Sequence, residues 1–115
     1  MFLLYQWDVT HQPLGSLYEG EVDEYTRRVA EAVAAHAPEL DARITAASDD
    51  WPADRLGAVE RNVLRVAVEE LDEAEIPLEV VLDEAVTLAK RYASEDAGRL
   101  VNGILGKLVR EEQTK

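Results

Sequence analysis

The chain has 115 residues, of which 24 are acidic and 12 are basic, so its formal net charge is −12. This charge argues against a protein that coats nucleic acid or adheres to anionic membranes, and the absence of cysteine excludes disulfide scaffolds and thiolate metal sites. The longest apolar run, residues 1–5, is far shorter than the ~20 residues that a membrane span needs. We expect one cytoplasmic domain over residues 1–115, without membrane contact.

Apolar residues recur at helical spacing along most of the chain, and no strand pattern of period two is visible. Residues 2–10 predict a short helix that begins without a capping residue, so we expect that the start of this helix is missing from the chain. The next apolar series predicts a helix from residue 22 to residue 37. Pro38 is expected to interrupt it, and Leu40, Ile44 and Ala47 then predict a separate short helix.

A wide apolar stripe over residues 55–73 predicts the central helix. Pro77 fits the first turn of the following helix, which is expected to extend to Tyr92. Either Ser94 or Asp96 is expected to cap the last helix. The pattern as a whole predicts an all-α fold, a compact helical bundle.

Charge is distributed unevenly along this sequence. Residues 1–86 carry a net charge of −14, whereas residues 87–115 carry 6 basic and 4 acidic side chains and a net charge of +2. A contact with a polyanion is therefore expected in the C-terminal third. The alternative is the ordinary preference of lysine and arginine for the C-terminal ends of helices.

Residues with catalytic chemistry do not form a recognisable site. His11 and His36 lie far apart in sequence and have no further ligand at metal-binding spacing, and the acidic pairs are typical of a solvated surface. No general acid, general base or nucleophile is identified. We therefore predict no catalytic residue, metal or cofactor, and the residues favour a binding module over an enzyme.

Four stretches, in this order and at this spacing, resemble the NusB family of bacterial transcription antitermination factors. They are LYQW at 4–7, ERNVLRVA at 60–67, IPLEVVLDEAVTLAK at 76–90 and VNGIL at 101–105. The resemblance implies six to seven helices in two small sub-bundles and a non-enzymatic role. Members of the family bind the boxA element of nascent RNA together with NusE, a small-subunit ribosomal protein. The assembly acts on the transcription elongation complex, notably on ribosomal RNA operons.

The resemblance also implies site residues. Glu60 matches a position that faces NusE, although an exposed helix charge is an equally simple interpretation. Asp96 matches a position near RNA, with a helix cap as the alternative. Lys90 and Arg65 are expected to neutralise phosphates. Asn102 is expected either to contact base edges or to be a buried amide that ties helices together.

Two departures from the family pattern bear on RNA binding. Members usually carry an arginine-rich segment before the first helix, and we expect this arm to be missing here. The position of Leu100 is often phenylalanine, whose ring can stack on a base, whereas leucine can only pack against it.

Two other functions remain open on sequence grounds. Similar helical domains precede the catalytic domain of some ribosomal RNA cytosine methyltransferases, so the chain could be an RNA-binding accessory domain. A shortened first helix would also expose apolar surface, which favours a self-associating module and a possible homodimer.

Overall fold

The computed structural model describes residues 2–12, 14–17, 23–48 and 55–113, and these residues form helices and connecting segments without any strand. The helices are α1 (Phe2–Thr10), α2 (Leu14–Leu17), α3 (Glu24–Ala47), α4 (Ala58–Glu73), α5 (Leu78–Tyr92) and α6 (Glu95–Gln113). Since α2 is a single turn, the described residues contain five longer helices. The all-α class is confirmed, and the expected six to seven helices are slightly too many.

One reason for the smaller number is that Pro38 does not interrupt its helix. α3 is continuous over 24 residues, with Pro38 inside it. The proline ring is exposed, and the buried residues continue in register on both sides, from Val33 through Ala37 and Leu40 to Ile44. Burial of this stripe outweighs the ~3 kcal/mol that proline costs in a helix interior.

α4 is the central helix, as its wide apolar stripe predicts. It contacts α1, α3, α5 and α6, and its residues Val63, Leu64, Ala67 and Val68 are buried. One continuous core contains residues from all five longer helices. Over the described ranges, no helix combines the length and the apolar character that crossing a bilayer requires.

A buried polar network joins α1, α3 and α4. The guanidinium of Arg65 donates hydrogen bonds from Nε and Nη2 to the two carboxylate oxygens of Asp41, each at 2.7 Å. Its Nη1 donates to the side-chain oxygen of Asn62 at 3.1 Å and lies 3.4 Å from the Asp8 carboxylate. Asn62 is fully buried and donates to Asp8 at 3.0 Å. Three helices are thus held together through paired charges.

This network changes the role of Arg65. The residue is 6% exposed, and its guanidinium lies 5.7 Å from the centre of the Trp7 ring, within the range of a cation–π contact. Its charge is already paired with Asp41 and Asp8 and has little contact with solvent. The expected role of Arg65 in neutralising phosphates does not fit this burial, and its side chain instead holds the helices together.

A second set of ion pairs joins α3 to the C-terminal half of α4. His36 Nδ1 lies 2.7 Å from Glu69 Oε1, and Arg43 donates to Asp72 at 2.6 and 3.0 Å. Most of these side chains are well exposed, so each pair contributes little to stability. Glu69 differs because it is 5% exposed, and the exposed His36 ring is its hydrogen-bond partner.

Replacement of Arg65 by methionine is expected to destabilise the fold by about 2 kcal/mol in urea denaturation. Breaking a buried ion pair costs about 3–5 kcal/mol, and we expect less because the Asp41 side chain is 31% exposed. The matched control is Arg99→Met, whose side chain is 71% exposed and whose loss is expected to cost under ~0.5 kcal/mol. Equal losses in the two variants would contradict a structural role for Arg65.

The His36–Glu69 contact makes stability depend on pH. The hydrogen bond to Glu69, together with its negative charge, raises the pKa of His36 above the ordinary value of 6.5. A pKa that is higher in the folded chain stabilises the fold below the unfolded value of 6.5, and this contribution is lost as the pH rises through the folded value.

The variant His36→Gln removes this titration. We expect the stability advantage of the original chain over the variant to be largest near pH 5.5 and to shrink toward about pH 8.5. Urea denaturation of both chains across that range measures the difference. A difference in the free energy of unfolding that stays constant or grows with pH would show that Glu69 does not stabilise the protonated form of His36.

Candidate nucleic-acid interface

The junction between α5 and α6 brings several predicted site residues to the surface. Lys90 and Arg91 lie in the last turn of α5, where positive charge interacts favourably with the helix dipole. Ser94 Oγ accepts a hydrogen bond from the backbone N–H of Ala97 at 3.0 Å. Ser94 is therefore the cap of α6, and Asp96 is left exposed within the first turn.

The side chain of Lys90 packs across α6 at Gly98, where a larger residue would block it. A Cβ atom on Gly98 would collide with Cγ of Lys90, so the glycine permits the lysine stem to pack against α6. The Lys90 ammonium is 4.0 Å from the Glu95 carboxylate, and its side chain is 47% exposed. The charge of Lys90 thus has a defined place at the edge of α6 and remains accessible to a phosphate.

Asn102 lies one helical turn beyond Gly98 and shares this edge of α6. Its side chain is exposed. The alternative of a buried amide that ties helices together is therefore wrong for Asn102. Asn62, inside the network around Arg65, is a buried amide instead.

The opposite edge of the exposed α6 face carries Asp96 and Leu100. Asp96 forms an ion pair with Arg99, one turn away, and Leu100 is 41% exposed. Leu100 and Asn102 are two residues apart, which places them about 200° apart around the helix. The predicted RNA residues on α6 therefore form two edges and not one cluster.

Leu100 faces a groove of about 570 Å³ between α6 and the end of α3. The described residues that line it are Ala47, Ser48, Leu56, Arg99, Leu100, Gly103, Ile104 and Lys107. Its floor is apolar, and its two cations come from one face of α6. A Cβ atom on Gly103 would meet nothing within 4 Å, so the space beside this residue is open. The size is that of a small-ligand pocket.

Sequence reasoning missed Arg99 and Lys107 as members of this surface. Both line the groove from α6, and they are eight residues apart, just over two turns; Arg99 is exposed and Lys107 is half-buried. The surplus of positive charge over residues 87–115 was the signal that could have identified them. Their arrangement allows phosphates to bind at the groove while an apolar or aromatic group enters it.

Glu60 belongs to a neighbouring surface, in the first turn of α4. Its carboxylate is folded back over the helix start, where a Cβ atom on Gly57 would collide with it. Negative charge at this position interacts favourably with the N-terminal end of the helix. The side chain is half-buried and lies four residues after Leu56, which lines the groove.

Sequence comparison finds similar proteins over nearly the whole chain. A family model described as the NusB family matches residues 1–110. The transcription antitermination protein NusB of Rubrobacter xylanophilus is 40% identical over 111 residues, covering 90% of this chain and 80% of that protein. The corresponding protein of Thermoanaerobacter sp. (strain X514) is 32% identical over 118 residues, covering 96% and 84%.

Solved structures show the same likeness. A chain from a structure of antitermination factors NusB and NusE in complex with double-stranded RNA matches with a TM-score of 0.84 and 32% identity, over 95% of this chain and 89% of that chain. T. maritima NusB matches with a TM-score of 0.83 and 33% identity, over 96% and 84%. Sequence and fold agree, and this chain belongs to the NusB family.

Proposed function

We propose that this chain is a transcription antitermination factor, a non-enzymatic adaptor that binds boxA RNA together with NusE. The observation that carries the proposal is the likeness, at 32% identity, to a structure of NusB and NusE with RNA. The adaptor acts in the cytoplasm on the transcription elongation complex, where it supports ribosomal RNA transcription. Its action requires two binding surfaces on one small bundle.

The RNA surface is formed by the α5–α6 junction and the exposed face of α6. Lys90, Arg99 and Lys107 supply positive charge for phosphates. The groove beside Leu100 can accept an unstacked base, and Asn102 offers an amide to a base edge. Asp96 accepts hydrogen bonds from base amino groups, as a carboxylate does when it reads cytosine.

The protein surface includes Glu60 and the acidic body of the chain. With a net charge of −12, most of the surface repels RNA and attracts a basic ribosomal protein. RNA is therefore attracted to the C-terminal third, where the net charge is positive. This division of charge supports an adaptor that binds one RNA and one basic protein.

The alternative of a methyltransferase accessory domain is not favoured. The similar proteins are named transcription antitermination proteins, and the family match extends over residues 1–110. No observation in the described structure favours a self-associating module over the adaptor.

The test is a titration of labelled boxA RNA with this chain, with and without NusE, at two salt concentrations. We expect the tightest binding with NusE present and weaker binding to a scrambled RNA. The variant Lys90→Met keeps the stem over Gly98 but removes one phosphate contact. It is expected to lower the slope of log affinity against log salt by about 0.7. Arg27→Gln, an exposed cation at the start of α3, is the matched control.

Two results would contradict this account. Equal binding of boxA and scrambled RNA in the presence of NusE would refute the adaptor function. An unchanged salt slope for Lys90→Met, or the same change in Arg27→Gln, would remove Lys90 from the RNA surface.

Leu100→Phe is expected to strengthen RNA binding. The position is 41% exposed, so a phenyl ring can lie on the surface of the groove without entering the core. Stacking of a base on an aromatic ring contributes ~1–3 kcal/mol, which predicts an affinity gain of about fivefold or more. The same RNA titration measures it, with Leu100→Ile as the control for side-chain size. No gain, or an equal gain with isoleucine, would show that no base stacks at this position.

A further inference from the structure

A second cavity lies away from α6, among α1, α3, α4 and α5. Its volume is about 150 Å³. Its apolar walls include Leu4, Val29, Val66 and Leu88. Two carboxylates, from Glu70 and Glu84, also line it. The pocket is therefore apolar with two acidic side chains in its lining.

These two charges are poorly compensated within the described chain. Burial raises the pKa of Glu70, and the negative charges of Glu84 and Glu73 raise it further. The hydroxyl of Tyr25 donates a hydrogen bond to the Glu70 carboxylate, which lowers the pKa in part. The pocket thus holds negative charge that repels itself.

Arg28, which lies over the ring of Tyr25, is already engaged elsewhere. Arg28 forms ion pairs with Glu73 and Glu75, each at 2.8 Å, and its guanidinium lies over the Tyr25 ring. Among the described residues, no lysine or arginine forms an ion pair with Glu70 or Glu84. A cation from outside would relieve the repulsion between these two carboxylates.

We propose that this pocket receives a lysine or arginine side chain of the basic protein partner, with the stem against the apolar walls and the charged end between Glu70 and Glu84. The inference rests on the proposed function, since it assigns part of the surface that NusE contacts. The volume of about 150 Å³ leaves room for the end of such a side chain. Lysine and arginine commonly bury their stems while the charge meets a polar rim.

Charge and position both favour a protein over RNA as the occupant. The carboxylates repel phosphate, and the proposed RNA surface lies elsewhere, at the α5–α6 junction and on α6. Glu60 and Glu70 are ten residues apart on α4, which is about 15 Å along the helix axis. A standard interface of about 800 Å² per partner covers this distance, so one partner can contact both residues.

The test compares Glu84→Gln with Asp83→Asn in binding to NusE. Both residues are exposed, adjacent on α5 and lose the same charge, but only Glu84 lines the pocket. We expect Glu84→Gln to weaken NusE binding about tenfold, as expected for a close charge pair at an interface, and Asp83→Asn to weaken it less than about twofold. Thermal denaturation of Glu84→Gln alone should show equal or greater stability, because repulsion of Glu70 is relieved.

A further variant, Glu84→Lys, places a cation beside Glu70 from within the chain. It is expected to weaken NusE binding more than Glu84→Gln does, while the melting temperature rises. A loss of binding accompanied by a lower melting temperature would mean that misfolding, and not the pocket, is responsible.

The outcomes separate this inference from the function on which it rests. Failure of the original chain to bind NusE refutes the proposed function. Binding by the original chain that Glu84→Gln leaves unchanged refutes the pocket alone. Two further results would overturn the choice of occupant: weaker RNA binding by Glu84→Gln without NusE, or altered self-association of this variant in sedimentation.

Discussion

The guanidinium of Arg65 is the group on which the arrangement of α1, α3 and α4 depends. A charge that is 6% exposed is tolerated only where acceptors surround it, and Asp41, Asp8 and Asn62 provide them from three helices. Because these bonds are directional, they fix how the helices lie against each other more narrowly than apolar packing does. The central position of α4 follows from this network together with its buried apolar face.

α4 is also the element that relates the two proposed binding surfaces. Leu56, just before α4, lines the groove beside Leu100, whereas Glu60 and Glu70 lie on α4 itself. Residues of both proposed surfaces therefore lie on α4 or directly before it. RNA and a basic protein attract each other. Separate surfaces on the adaptor are needed to bind each of them in a fixed position.

Sequence periodicity was sufficient to predict the all-α class and the central helix, because apolar residues at helical spacing fall on one face only if the chain is helical. It failed at Pro38, where the local cost of proline is smaller than the burial of the stripe that continues past it. The exposure of Lys90 and Asn102 agrees with a surface role. The burial of Arg65 could not be predicted, since its partners Asp8 and Asp41 are distant in sequence.

The most direct test of the account is hydrogen–deuterium exchange of this chain alone, with boxA RNA, with NusE and with both. We expect RNA to protect residues 90–107 and NusE to protect α4 and the pocket side of α5. Each protection should persist in the ternary assembly, because the two surfaces are separate. Protection of one common surface by both ligands, or no RNA protection in α6, would contradict an adaptor built in this way.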